Sequence, residues 1–167
     1  VDAKRKDNQY PFNGLAGVGV AFKLTQALSQ RLNIREEENL KYLDIVCVGT
    51  ISDIVPLVDE NRTISKLGLK LVKQTRNVGL RVLLESIGYK KIDSNTISFG
   101  VAPRINACGR MGHEREALQL FLTDDVEEAK NITQRLNGYN LERQDIEKRI
   151  FNEAQEMLSA EGNKLPC

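Results

Sequence analysis

Asp53 lies late in the apolar run Leu43-Asp-Ile-Val-Cys-Val-Gly-Thr-Ile-Ser-Asp-Ile-Val-Pro-Leu-Val58. An ionised carboxylate in such a run is costly unless it is paired, hydrogen-bonded or bound to a metal. Asp53 therefore reads in two ways: as a cap for a helix beginning near Ile54, or as a ligand for a hard cation. Asp44, earlier in the run, reads as a helix-surface carboxylate or as an acceptor behind a metal ligand. Asp59 and Glu60 follow in a polar turn and are expected to be solvated.

A second group of residues could hold an anion. Arg104, Asn106, Gly109 and Arg110 fall within seven residues of one another. Arginine presents a planar fork that grips phosphate oxygens bidentately, and glycine lets backbone approach a ligand closely. The alternative is that the arginines pair with carboxylates and lock this segment to its neighbours. Gly14, Gly17 and Gly19 open a helical pattern that carries Lys23. Glycines there suit either a phosphate at a helix start or close packing on a sheet, and Lys23 would then lie near substrate. His113, the lone histidine, is expected at the surface. Cys47, Cys108 and Cys167 have no Cys-x-x-Cys spacing, so neither a zinc site nor a disulfide framework is expected. Cys47 reads as a small core hydrophobe, and nothing beside Cys108 in the sequence would activate it as a nucleophile.

Four segments, in order, resemble the DHH phosphoesterase family, and within it the exonucleases specific for single strands. They are Tyr10-Pro-Phe-Asn-Gly-Leu-Ala-Gly-Val-Gly-Val-Ala-Phe-Lys-Leu24, Gly49-Thr-Ile-Ser-Asp-Ile-Val-Pro-Leu57, Phe99-Gly-Val-Ala-Pro-Arg-Ile-Asn-Ala-Cys-Gly-Arg-Met111 and Leu122-Thr-Asp-Asp125. The third matches every defined position of the family's Pro-Arg-Ile-Asn-Ala-x-Gly-Arg-Met pattern. The resemblance implies an α/β parent fold, of which this stretch would be mainly α-helical with few strands and a long connecting helix. It implies that Asp53 is the last metal-binding aspartate of a two-metal site for Mn2+ or Mg2+. It implies hydrolysis of single-stranded DNA from the 5′ end, in repair and recombination, with other proteins of those processes as possible partners. The Asp-His-His triplet and the Gly-Gly-His-type motif of the family are absent from the sequence. The chain accordingly reads as an internal piece of a longer enzyme, inactive alone.

Composition adds bounds. With 41% hydrophobic and 28% charged residues, the chain has the make-up of a globular protein. No apolar run is long enough to span a membrane. The start, Val1-Asp-Ala-Lys-Arg-Lys-Asp, lacks a signal-peptide core, which fits a cytoplasmic address. A net charge of +1 gives no global pull toward nucleic acid, so any DNA contact must come from local cations. Aromatic residues make up only 5%, so Tyr10, Phe12 and Phe99 are expected to pack rather than to stack on bases.

The elements that would position these residues follow from periodicity. A helix is expected from about Leu15 to Leu32, stopped by Asn33. A second should start at Glu36–Glu38, bury Leu40, Leu43 and Val46 or Cys47, and break at Gly49-Thr50; a strand over Leu43–Val48 is the alternative. Asn61 can cap a third helix, and a fourth should end at Gly88. Residues 93–113, punctuated by Gly100, Pro103, Gly109 and Gly112, read as an irregular loop. From Asp125 to about Leu158 one long helix is expected, with Val126, Ala129, Ile132, Leu136, Tyr139, Ile146, Ile150, Ala154 and Met157 as its buried stripe and an ion pair between Asp145 and Arg149. The division is then 1–92, the end of a catalytic domain; 93–124, an arginine- and glycine-bearing loop and junction; and 125–167, the connecting helix. Apolar surface left over should favour self-association. Two other readings stay open: a DHH phosphoesterase acting on short oligonucleotides, cyclic dinucleotides or pyrophosphate, and a helical scaffold without activity.

Overall fold

The computed structural model describes residues 4–160. Its elements are α1 (Gly17–Arg31), α2 (Glu37–Leu40), α3 (Leu43–Ser52), α4 (Asp59–Val72), α5 (Val78–Ile87), a π-helical segment (Thr96–Val101) running straight into α6 (Ala102–Arg110), α7 (Glu114–Leu122) and α8 (Val126–Ala160). No strand occurs among the described residues. The mainly helical character expected for this stretch is therefore what forms, and the strand alternative over Leu43–Val48 is not.

The centre of the fold is α3. Leu43, Asp44, Val46, Cys47, Val48, Thr50 and Ile51 are all buried, so this short helix is surrounded rather than amphipathic. One side, with Leu43 and Val46, joins Leu15, Phe22 and Ile64 in a small core beside α1 and α4. The other, with Cys47, Val48 and Ile51, joins Leu80, Leu83, Ile97, Leu120, Ile132 and Leu136 in the main core. Gly49 does not break α3. It is the point where α1 crosses closely, because a Cβ there would lie 2.8 Å from Val18 Cγ1.

Asp44 departs from its expected surface position. It is 5% exposed, and Thr75 Oγ1 donates to its Oδ2 at 2.5 Å. The hydroxyl supplies the hydrogen bond that a buried carboxylate requires. Asn61 is not a helix cap either. It sits in the first turn of α4, fully buried, and its Nδ2 donates to Gly14 O at 2.7 Å and to Pro56 O at 3.0 Å. One amide thus ties the approach to α1 to the turn that follows Asp53. Asn77 caps α5 by accepting from Leu80 N at 2.8 Å, and its Nδ2 donates to Phe121 O at 2.8 Å. Asn33 and Gly88 end α1 and α5 in the left-handed region, as their types suggest.

The expected loop over 93–113 is helical. Asp93 Oδ1 accepts from the backbone N–H groups of Asn95 and Thr96, which starts the turn, and Pro103 is the second residue of α6, where the π-helical segment passes into the α-helix. The first break is Gly112, at φ 77°, before α7. Helix α7 had no counterpart in the sequence reading.

Helix α8 starts as expected, with Asp125 Oδ1 accepting from Glu128 N at 2.8 Å as its N-cap. Ala129, Ile132 and Leu136 are fully buried. Beyond Asn140 the expected stripe is not covered: Ile150 is 60% exposed and Met157 69%. Asp145 lies 3.8 Å from Lys148 rather than pairing with Arg149.

Candidate functional site

Three elements meet at a cleft of about 570 Å³. The start of α1 contributes Ala16, Gly17 and Val18; the end of α3 contributes Gly49, Ser52, Asp53 and Ile54; α6 contributes Ile105, Asn106 and Arg110. The structure thus brings Asp53 together with Asn106 and Arg110, although more than fifty residues separate them.

Asp53 is the C-terminal cap of α3, with φ −82° and ψ −3°, and its N–H donates to Gly49 O at 3.0 Å. It is exposed, so the cost of burying a charge does not arise, and it caps no helix start. Its location is one that a cation would favour. The C-terminal end of a helix carries roughly half a negative charge, which disfavours a carboxylate there and favours a positive ion beside it. The next residue, Ile54, has φ 56° and is 89% exposed. A β-branched residue in the left-handed region is strained, and such strain gathers at functional sites.

The four anion-binding candidates of the second group divide. Asn106 and Arg110, one turn apart on α6, are exposed and line the cleft. Gly109 is exposed beside Arg110, and a Cβ there would meet nothing within 4 Å, so packing in this chain does not explain the glycine. Arg104 turns the other way. Its Nε donates to Asn137 Oδ1 at 2.5 Å and its Nη1 to Gly100 O at 2.7 Å, and burial lowers its pKa. It locks α6 to α8, with an amide and a carbonyl as partners rather than the carboxylates considered above.

Lys23 is outside the cleft. Its ammonium lies 2.5 Å from Glu60 Oε2, and the Tyr10 hydroxyl bonds the same carboxylate. Glu60 is therefore paired rather than merely solvated. His113 is at the surface, as expected, stacked on Tyr139 with ring centroids 4.3 Å apart. Cys47 and Cys108 are buried, and burial pushes their thiols up to about 12 and about 11. Both thiols are thus held protonated near neutral pH, the form that is a poor nucleophile.

A second cleft, of about 490 Å³, adjoins the first and shares Ser52, Ile54, Asn106 and Arg110 with it. Phe99 and Arg143 line it. Phe99 does not pack, being 73% exposed on the π-helical segment. The sequence reading expects Phe99 to pack and gives Arg143 no part in a site. The available signal for Arg143 was a cation interrupting the apolar stripe of α8.

A two-metal centre needs several oxygen or nitrogen ligands. Among the described residues no group of three His, Cys, Asp or Glu side chains could hold a metal ion. Asp53 is the one carboxylate lining the first cleft, so these residues could offer at most one carboxylate ligand and not the set. No helix of the described residues is long and apolar enough to cross a membrane.

Comparison with known proteins gives the context of this partial site. No family model matches the chain. It is 39% identical over 164 residues to the single-stranded-DNA-specific exonuclease RecJ of Bacillus subtilis, a match covering 97% of this chain and 20% of that protein. The crystal structure of RecJ from Thermus thermophilus in complex with Mn2+ superposes with a TM-score of 0.76 at 41% identity, over 81% of this chain and 20% of that one. The Mg2+ complex of RecJ from the same organism gives a TM-score of 0.78 at 39% identity, over 89% and 23%. The chain spans about a fifth of the length of these relatives. This chain is homologous to the RecJ single-stranded-DNA-specific exonucleases and has the fold of one segment of them.

Proposed function

We propose that this chain forms one wall of the catalytic cleft in a metal-dependent exonuclease that degrades single-stranded DNA from the 5′ end, in repair and recombination. The observation that carries the proposal is the convergence of Asp53, Asn106 and Arg110 on one cleft. Asp53 offers a hard oxygen ligand at the negative end of α3. Arg110 and Asn106 face it from α6 and hold a phosphate by charge-assisted and neutral hydrogen bonds. Arg104 and Gly109 serve that arm: Arg104 fixes α6 against α8, and Gly109 leaves room for a strand to pass.

Mn2+ or Mg2+ would supply the Lewis acid and the activated water of phosphodiester hydrolysis. Because these residues hold a single ligand, the chain alone is expected to be inactive. The test is manganese-dependent release of nucleotides from 5′-labelled single-stranded DNA. It compares the full-length protein carrying this chain, its Asp53→Ala variant and the 167-residue chain. Loss of residues one shell out from a metal costs 10–100-fold, so losing a direct ligand should cost about a hundred-fold or more. An Asp53→Ala variant as active as the unaltered protein would overturn the metal role.

A further inference from the structure

We propose that the second cleft is a track for the strand beyond the scissile phosphate, with Phe99 as a platform for one unpaired base and Arg143 as the cation for its phosphate. This rests on the phosphodiesterase reading above and adds two residues to it.

The geometry has three parts. The clefts share Asn106 and Arg110, so a strand whose phosphate sits at Arg110 in the first continues naturally into the second. Phe99 stands 73% exposed at the second cleft, raised there by the π-helical segment, and π-turns recur at functional sites. An exposed aromatic ring beside arginines is the arrangement used to stack bases while gripping the backbone. Arg143 enters from α8. Its side chain is 24% exposed, its Nε is buried with no hydrogen-bond partner among the described residues, and its Nη1 pairs at 2.9 Å with Glu147, which is 69% exposed. A surface pair of that kind is weak, and a phosphate can displace it.

Charge decides the class of occupant. No Asp or Glu lines the second cleft, whereas Arg110 and Arg143 both do, with Ser52, Ser94 and Ser98 as hydroxyl donors. The chain carries only +1 overall, so this concentration of cations is local. It suits a polyanion with flat rings. Stacking on Phe99 requires a base face that a duplex keeps covered, so the same residue would favour single strands.

The test uses the full-length protein. Binding of a fluorescent oligothymidylate is measured by anisotropy without divalent metal, and hydrolysis with Mn2+ is measured on the oligonucleotide and on thymidine 5′-p-nitrophenyl phosphate, which is too short to reach the track. Phe99→Ala and Arg143→Gln should each weaken oligonucleotide binding and raise its KM about ten-fold. Both should leave kcat on the short ester nearly unchanged. Arg143→Gln should also flatten the salt dependence of binding by about one unit of slope. Phe99→Trp should bind at least as well as the unaltered protein, which a merely structural role would not allow. Unchanged oligonucleotide binding in both variants, or equal losses on both substrates, would overturn the track. Absence of hydrolysis in the unaltered protein would instead sink the exonuclease reading, while the metal-free binding would still report on Phe99 and Arg143.

Discussion

Arg104 Nε donates to Asn137 Oδ1 at 2.5 Å, so a residue with the chemistry of a phosphate ligand instead joins α6 to α8. The same guanidinium closes on Gly100 O, one turn back. Arg110, six residues further on, lines the cleft instead. Replacing Arg104 with Lys removes the fork and should cost about 1.5–3 kcal/mol, the usual worth of hydrogen bonds to a charged group. Urea unfolding checks this. Arg110→Lys, at an exposed position, should leave stability within about 0.5 kcal/mol. Equal losses in the two variants would mean that the contrast between their roles is wrong.

Asp53 should show opposite effects on stability and activity. Its carboxylate stands at the negative end of α3, exposed and without an ion-pair partner among the described residues. Asp53→Asn removes that unfavourable charge and should stabilise the metal-free chain by about 0.3–1 kcal/mol. The same change should weaken Mn2+-dependent hydrolysis severely in the full-length protein. Thermal melts in EDTA, read beside the activity assay, make the comparison. A destabilised variant would mean that the carboxylate has a structural partner.

Ile54 offers a test of backbone strain. A left-handed residue other than glycine costs about 1–2 kcal/mol, and the extra freedom of glycine in the unfolded chain returns about 0.5–1. With the side chain 89% exposed, no packing is lost. Ile54→Gly should therefore raise Tm by about 1–4 °C, whereas Ile54→Val, still β-branched, should not. A lower Tm for the glycine variant would show that the apolar side chain matters more than the strain.

The buried thiols set a limit at alkaline pH. Cys47 and Cys108 are pushed up from about 9.0 to about 12 and about 11 by burial. Because the folded values are raised, their contribution is complete below pH 9. It is lost as pH rises from about 9 toward those values, since the unfolded chain ionises first. Unfolding free energy should thus fall between pH 9 and pH 11, and less steeply in a Cys47→Ala, Cys108→Ala double variant. Iodoacetamide at pH 8 should modify neither cysteine until the chain unfolds. Rapid labelling of Cys108 in the folded chain would contradict its burial.

Local chemistry was legible in the sequence wherever one residue type does one job. Asn33 and Gly88 end their helices as their types suggest, and Asp125, where the long helix is expected to start, caps α8. These depend on neighbours within a turn, and the sequence states those neighbours directly. Tertiary packing decided the rest. Gly49 and Gly100 look like breaks, but each lies inside a helix; at Gly49, α1 crosses so closely that a side chain would not fit. Asp44 is buried because Thr75, from another helix, supplies its hydrogen bond. Which way Arg104 and Arg110 face, and that Phe99 and Arg143 share a cleft, depends on where α8 crosses α6. That crossing is set by Ile132 and Leu136 entering the main core, a relation between distant segments to which periodicity along one of them is blind.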